Sequence, residues 1–179
     1  KVVMGLLGCR EAARDTGVVP HPQPPGEIAP DDGSLPDTSS ARVGERPFGA
    51  YVHVPFCATR CGYCDFNTYT AAELGDTSTG AYVDAVVAEV AMARQVLPAA
   101  PPLSTVFFGG GTPTLLVPDD TVRLLAALRD GFGLMADAEV TTEANPESVT
   151  PRSLADLRSG GFTRISFGMQ SAIPHVLAT

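Results

Sequence analysis

Three cysteines stand within eight residues, in Cys57-Ala-Thr-Arg-Cys61-Gly-Tyr-Cys64. Thiolates at that spacing can share one metal centre, and they are natural ligands of iron–sulfur clusters and of zinc. A structural zinc site needs four protein ligands. His53 would complete a Cys3His set, yet it falls in a segment that reads as a strand, at a fixed distance from the loop. Three thiolates alone leave one iron of a [4Fe–4S] cube open, a position where a small molecule can coordinate, as catalytic zinc keeps a vacancy. Tight clustering without a secretory context argues against a disulfide framework. Arg60, inside the loop, reads equally as an offset to a cluster's negative charge and as a solvated surface charge.

Three further groups carry chemical potential. Gly109-Gly-Gly-Thr-Pro113 removes side chains so that backbone can approach a ligand closely, and Thr112 adds a hydroxyl. Glu143, if buried, needs a polar ligand or an arginine partner, because an unpaired carboxylate is costly there. Gln170 is the last. Cys9, His21 and His175 read as incidental.

The elements that must position these groups alternate. Residues 50–54 read as a strand stopped by Pro55. After a polar loop, Val83, Val86, Val87, Val90 and Leu97 recur at helical spacing until Pro98. Residues 105–108 form a second apolar strand. Asp119 is the expected cap of a second helix, carried by Leu124, Leu125 and Leu128 to a stop at Gly131. Residues 138–142 make a third strand. Thr150 caps a third helix, with Pro151 first, Leu154 and Leu157 inward and Gly160 at its end. Residues 163–167 make the fourth strand. Strand and helix in turn predict an α/β fold with a parallel sheet and right-handed crossovers. Each candidate group then lies at the C-terminal end of a strand, the rim where ligands bind in such folds.

Composition bounds the rest. An apolar fraction of 44% over 179 residues fits a globular domain with a sizeable core. A net charge of -8 without any Lys/Arg cluster argues against electrostatic binding of nucleic acid. No apolar run approaches the roughly 20 residues that span a membrane. The start, Lys1 to Cys9, faintly resembles a secretory leader, but its apolar stretch is short and Arg10 and Glu11 follow at once; a cytoplasmic location is expected. Residues 1–46, rich in Pro, Gly and Asp, read as a disordered leader, and 47–179 as the N-terminal part of a core domain. With no closing signal at Thr179, the chain is expected to be a piece of a longer protein.

The motif Cys-x3-Cys-x2-Cys after a first strand resembles that of the radical S-adenosylmethionine (SAM) superfamily. Tyr51-Val-His-Val-Pro-Phe-Cys57, Cys61-Gly-Tyr-Cys64-Asp-Phe66, Phe107-Phe-Gly-Gly-Gly-Thr-Pro-Thr114, Thr142-Glu-Ala-Asn-Pro146 and Ser166-Phe-Gly-Met-Gln-Ser171 are similar, in order, to one branch of it. That branch holds the oxygen-independent coproporphyrinogen III oxidases and the HemW heme chaperones. The resemblance implies a partial (β/α) radical SAM barrel, about four βα units of a six-unit barrel. It implies a [4Fe–4S] cluster on Cys57, Cys61 and Cys64, and SAM on the open iron. There one electron splits the sulfonium into methionine and a 5′-deoxyadenosyl radical, chemistry that belongs to the cofactors. It also implies SAM contacts from Tyr51, Tyr63, Gly110, Gly111, Thr112, Glu143 and Gln170. No residue of this chain is implied as an acid, base or nucleophile.

One departure separates the two activities. The oxidases usually carry a further cysteine two places after the third ligand, where this chain has Phe66. That puts oxidative decarboxylation of coproporphyrinogen III in doubt and points to the HemW type. The implied partners are heme or a porphyrin, heme-acceptor proteins and an electron donor, with a homodimer left open.

Overall fold

The computed structural model describes residues 2–6, 30, 32–35, 43–62, 64–74, 78–169 and 171–177. In chain order the elements are β1 (Val2–Leu6), β2 (Phe48–Val54), β3 (Phe56–Cys57), β4 (Tyr69–Thr70), α1 (Ala71–Leu74) and α2 (Thr79–Val96). They continue with β5 (Leu103–Gly110), α3 (Pro118–Phe132), β6 (Leu134–Ala144), α4 (Pro151–Gly160), β7 (Arg164–Phe167) and α5 (Pro174–Leu177). Single 3-10 turns, Pro113–Leu115 and Pro146–Ser148, follow β5 and β6.

One sheet has the order β1-β2-β5-β6-β7. It is parallel from β2 onward, with β1 antiparallel at the edge. From β2 the strands lie side by side in the order in which they occur along the chain, each reached through a helix. Neighbouring helices pack in the same order, α2 on α3 and α3 on α4. Repeated βα units with helices on one face are the expected partial (β/α) barrel.

Period two decides which side chains meet the helices. In β2, Phe48, Ala50, Val52 and Val54 are buried, while Tyr51 and His53 between them are only partly covered. Leu103, Val106 and Phe108 of β5 and Val140 of β6 join the same layer. Opposite them α2 supplies Val83, Val86 and Val90, and α3 supplies Leu124, Leu125, Leu128 and Phe132. Each such side chain removed from water contributes about 1.5–3 kcal/mol. The other face carries Tyr51, His53, Phe107 and Glu143, and remains partly open.

The helix ends refine the sequence reading in two places. Val117, not Asp119, is the cap residue of α3; Pro118 opens the helix, and Asp119 and Asp120 sit in its first turn, where carboxylates meet the positive end of the helix dipole. Nor does α3 stop at Gly131. It runs to Phe132, which packs 6.0 Å from the Phe48 ring and under the Arg94 guanidinium at 5.7 Å. Gly133, with φ 75°, makes the actual C-cap, a conformation that costs a residue with a Cβ. By contrast α4 is capped as expected by Thr150, which accepts from the Ser153 amide, with Pro151 first. Gly161 follows its last residue in the left-handed region.

Val2–Leu6 is a strand that the sequence reading did not assign. It pairs with the free edge of β2, Val2 opposite Val52 and Leu6 opposite Phe48. Residues 7–29, most of the expected leader, lie outside the described residues.

Candidate functional site

The cysteine loop is tied at both ends. On its near side β3 pairs in parallel with β4, Cys57 opposite Thr70, and the Tyr69 amide donates to the Pro55 carbonyl at 2.7 Å. The Gly111 amide donates to the Val54 carbonyl at 2.8 Å and the Thr112 amide to the Phe56 carbonyl at 2.7 Å. The glycine turn after β5 is thus stitched to the strand that leads into Cys57. A Cβ on Gly111 would run into the Phe56 carbonyl oxygen and lie 2.9 Å from Cys57 Sγ. Within the loop, the Cys64 amide closes a turn on the Cys61 carbonyl at 3.1 Å.

All three cysteines are free thiols, Cys61 exposed and Cys57 and Cys64 half-buried. In this arrangement no three Cys, His, Asp or Glu side chains among the described residues converge closely enough to grip one ion. Arg60 is turned to the return strand: its guanidinium donates to the Thr68 carbonyl and pairs with Glu73 at 3.2 Å. The Thr70 amide and hydroxyl also donate to Glu73, at 2.8 and 2.9 Å. These two bonds first, and Arg60 last, hold the Glu73 carboxyl below its usual range.

Behind the loop a second group gathers on the open face of the sheet. Tyr51 and Phe107, paired across β2 and β5, stack at 6.1 Å with planes 18° apart. Gly109 makes room for them: a Cβ there would lie 2.7 Å from the Phe107 ring, 3.0 Å from the Glu143 carboxylate and 3.1 Å from the Tyr51 ring. Burial, and secondarily the Glu143 charge, push the Tyr51 phenol above its usual range, so it stays a hydroxyl donor. No described residue donates a hydrogen bond or ion pair to the half-buried Glu143 carboxylate. The partner expected for it is therefore not supplied from among the described residues. Thr112 is buried, and its hydroxyl accepts from Asn145 Nδ2 at 3.3 Å. A second link, Thr114 Oγ1 to Ser148 Oγ at 2.6 Å, ties the turns after β5 and β6 together.

His53 is bonded on both ring nitrogens, to the Tyr51 hydroxyl at 3.2 Å and the Asn67 carbonyl at 2.8 Å. It is a hydrogen-bonded residue beneath the loop, and the Cys3His alternative finds no ring nitrogen at hand. Tyr82 of α2, not singled out from the sequence, donates to the His53 carbonyl at 2.8 Å and meets Phe56 edge-on at 5.1 Å. Tyr63 and Gln170 lie outside the described residues. The structure therefore brings together the three cysteines on one loop, and Tyr51, Gly110, Gly111, Thr112 and Glu143 on the adjoining rim.

A family model of the radical SAM superfamily matches residues 51–178. The chain belongs to the radical SAM superfamily. Over 134 residues it is 55% identical to a heme chaperone HemW of Mycobacterium tuberculosis, covering 75% of this chain and 34% of that protein. It is 37% identical over 131 residues to the heme chaperone HemW of Escherichia coli, covering 70% of this chain and 32% of that one. It is 38% identical over 130 residues to the E. coli oxygen-independent coproporphyrinogen III oxidase, covering 73% and 28%. Among solved structures, the coproporphyrinogen III oxidase HemN of E. coli, described as a radical SAM enzyme, superposes with a TM-score of 0.63 at 34% identity. That match covers 72% of this chain and 29% of the other. The chain spans about a third of the length of the curated relatives it matches.

Radical SAM membership implies a [4Fe–4S] cluster and SAM as cofactors. The donor set fits. Three free thiols share one loop, the loop's arginine is held elsewhere by Glu73, and Gly111 leaves Cys57 uncovered. The half-buried Glu143 carboxylate, without a hydrogen-bond donor among the described residues, and the Tyr51 hydroxyl lie on the same rim, where a polar ligand could meet them. Among the described residues no helix is long and apolar enough to cross a membrane.

Proposed function

We propose that the protein is a heme chaperone of the HemW type, which binds heme and passes it to acceptor proteins from a radical SAM core in the cytoplasm. The observation that carries this reading is the 55% identity to a heme chaperone HemW. The E. coli chaperone and oxidase do not separate at 37% and 38% identity. Phe66 supports the chaperone: it stands 61% exposed beside the loop, at the place where the resemblance usually gives the oxidases a further cysteine.

In this reading Cys57, Cys61 and Cys64 hold the cluster. Tyr51, Tyr63, Gly110, Gly111, Thr112, Glu143 and Gln170 surround SAM. Bound together, cluster and SAM supply one-electron reductive cleavage of a sulfonium, fed by an electron donor. The chain's own residues bind and orient. Glu143 offers an acceptor to ammonium or hydroxyl groups, Tyr51 keeps its proton, and the Gly109–Gly111 backbone clears the approach.

The test uses the full-length protein under anaerobic conditions. Hemin titration should give a saturable Soret band, and loaded protein should transfer heme to an apo-acceptor. Coproporphyrinogen III, with SAM and reductant, should keep its propionate carboxyls. Their loss would establish the oxidase instead.

A further inference from the structure

We infer that His53 is a positioning residue, a strut that couples the cysteine loop to the tyrosine facing the SAM site. The inference rests on the site reading above for its ligand side and on geometry alone for its loop side.

The Asn67 carbonyl can only accept, so His53 Nε2 carries the proton directed at it. In the neutral ring Nδ1 is then an acceptor, and the Tyr51 hydroxyl donates to it. One imidazole thereby fixes the tyrosine on β2 and the chain three residues beyond Cys64. Its own position is set from two sides. Tyr82 holds its backbone carbonyl, and Gly110, at φ 114°, lies so close that a Cβ would be 2.8 Å from ring atoms Nδ1 and Cε1. A ring bonded at both nitrogens transmits displacement: if the loop moves, Tyr51 loses its acceptor, and if a ligand draws Tyr51 away, the loop loses its brace.

The two nitrogens can be separated chemically. His53→Asn places an amide oxygen near Nδ1 and nothing near Nε2. His53→Gln reaches the Nε2 position and vacates Nδ1. Two readouts on the full-length protein then divide the roles. In cluster-free protein, hydrogen exchange at the Thr68, Tyr69 and Thr70 amides reports the loop. In reconstituted protein, SAM binding by equilibrium dialysis reports the tyrosine.

Loss of one hydrogen bond predicts about a two- to tenfold effect in each case. His53→Asn should speed exchange and leave SAM affinity near wild type. His53→Gln should weaken SAM and leave exchange unchanged. If both variants matched wild type, or both failed alike on both readouts, the strut would be refuted. If wild type bound neither cluster nor SAM, the site reading would fall, while exchange would still decide whether His53 holds the loop.

Discussion

Replacing Gly111 by alanine tests how the cysteine loop is held. The added methyl would overlap the Phe56 carbonyl oxygen and lie 2.9 Å from both the Phe56 carbonyl carbon and Cys57 Sγ. Two of the three are backbone atoms and cannot swing aside. The turn must lift, which strains or breaks the Thr112 to Phe56 and Gly111 to Val54 bonds of 2.7 and 2.8 Å. Overpacking costs about 1–3 kcal/mol and each lost bond about 0.5–1.5. Stiffening of the unfolded chain returns about 0.4–1 kcal/mol, leaving a net loss of about 1–5.5 kcal/mol. Gly62, inside the same loop, is the control, since a Cβ there meets nothing within 4 Å. Urea unfolding of cluster-free full-length protein under reducing conditions measures the first effect, and iron per chain after reconstitution the second. Gly111→Ala should be clearly destabilised and load less iron, whereas Gly62→Ala should stay within about 0.5 kcal/mol of wild type. A Gly111→Ala protein within about 1 kcal/mol of wild type and fully loaded would refute the stitched-turn account.

Two further outcomes follow from packing and charge. Burial first, then Glu89 and Tyr51, raise the Tyr82 phenol above its ordinary value of 10.0, so its stabilisation is complete below pH 10 and is lost as pH rises through the folded-state value. Tyr82→Phe should cost about 1 kcal/mol at neutral pH and flatten the alkaline fall in denaturation midpoint; an unchanged alkaline limb would contradict the assignment. At Gly160 a Cβ would strike Val122 on α3, so Gly160→Ala should destabilise by about 1–3 kcal/mol with SAM affinity unchanged, and a neutral effect would show that α3 and α4 can part at no cost.

Much of the scaffold was legible because its signals are local. Alternation in β2, the Thr150-Pro151 start of α4 and the cysteine spacing each depend on a few neighbouring residues. What escaped was set by distant contacts. Gly131 is as good a stop signal as Gly133, and Phe132, which carries α3 past it, is buried against Phe48 and Arg94, both far away in the chain. Asn145 gave no hint that it reaches Thr112, nor Tyr82 that it reaches the His53 carbonyl. The glycine turn was recognised as a place of close approach, but part of that closeness is internal: the Gly111 and Thr112 amides are spent on the cysteine strand. A glycine run announces proximity without saying to what.

From β2 onward the strands are laid down in the order in which the ribosome emits them, so each new strand finds a finished neighbour waiting. The cysteine loop is the exception to this orderly growth. Cys57, Cys61 and Cys64 emerge early, yet the backbone that locks Cys57, at Gly111 and Thr112, lies roughly fifty residues further on, about 3–10 s later at ordinary elongation rates. For that interval the loop has only its local ties, the β3–β4 pairing and the Arg60 bonds to Thr68 and Glu73, and its glycine brace is still to come. The full brace on Cys57 thus has an earliest moment written into the chain, and slowing translation between β2 and β5 would delay it.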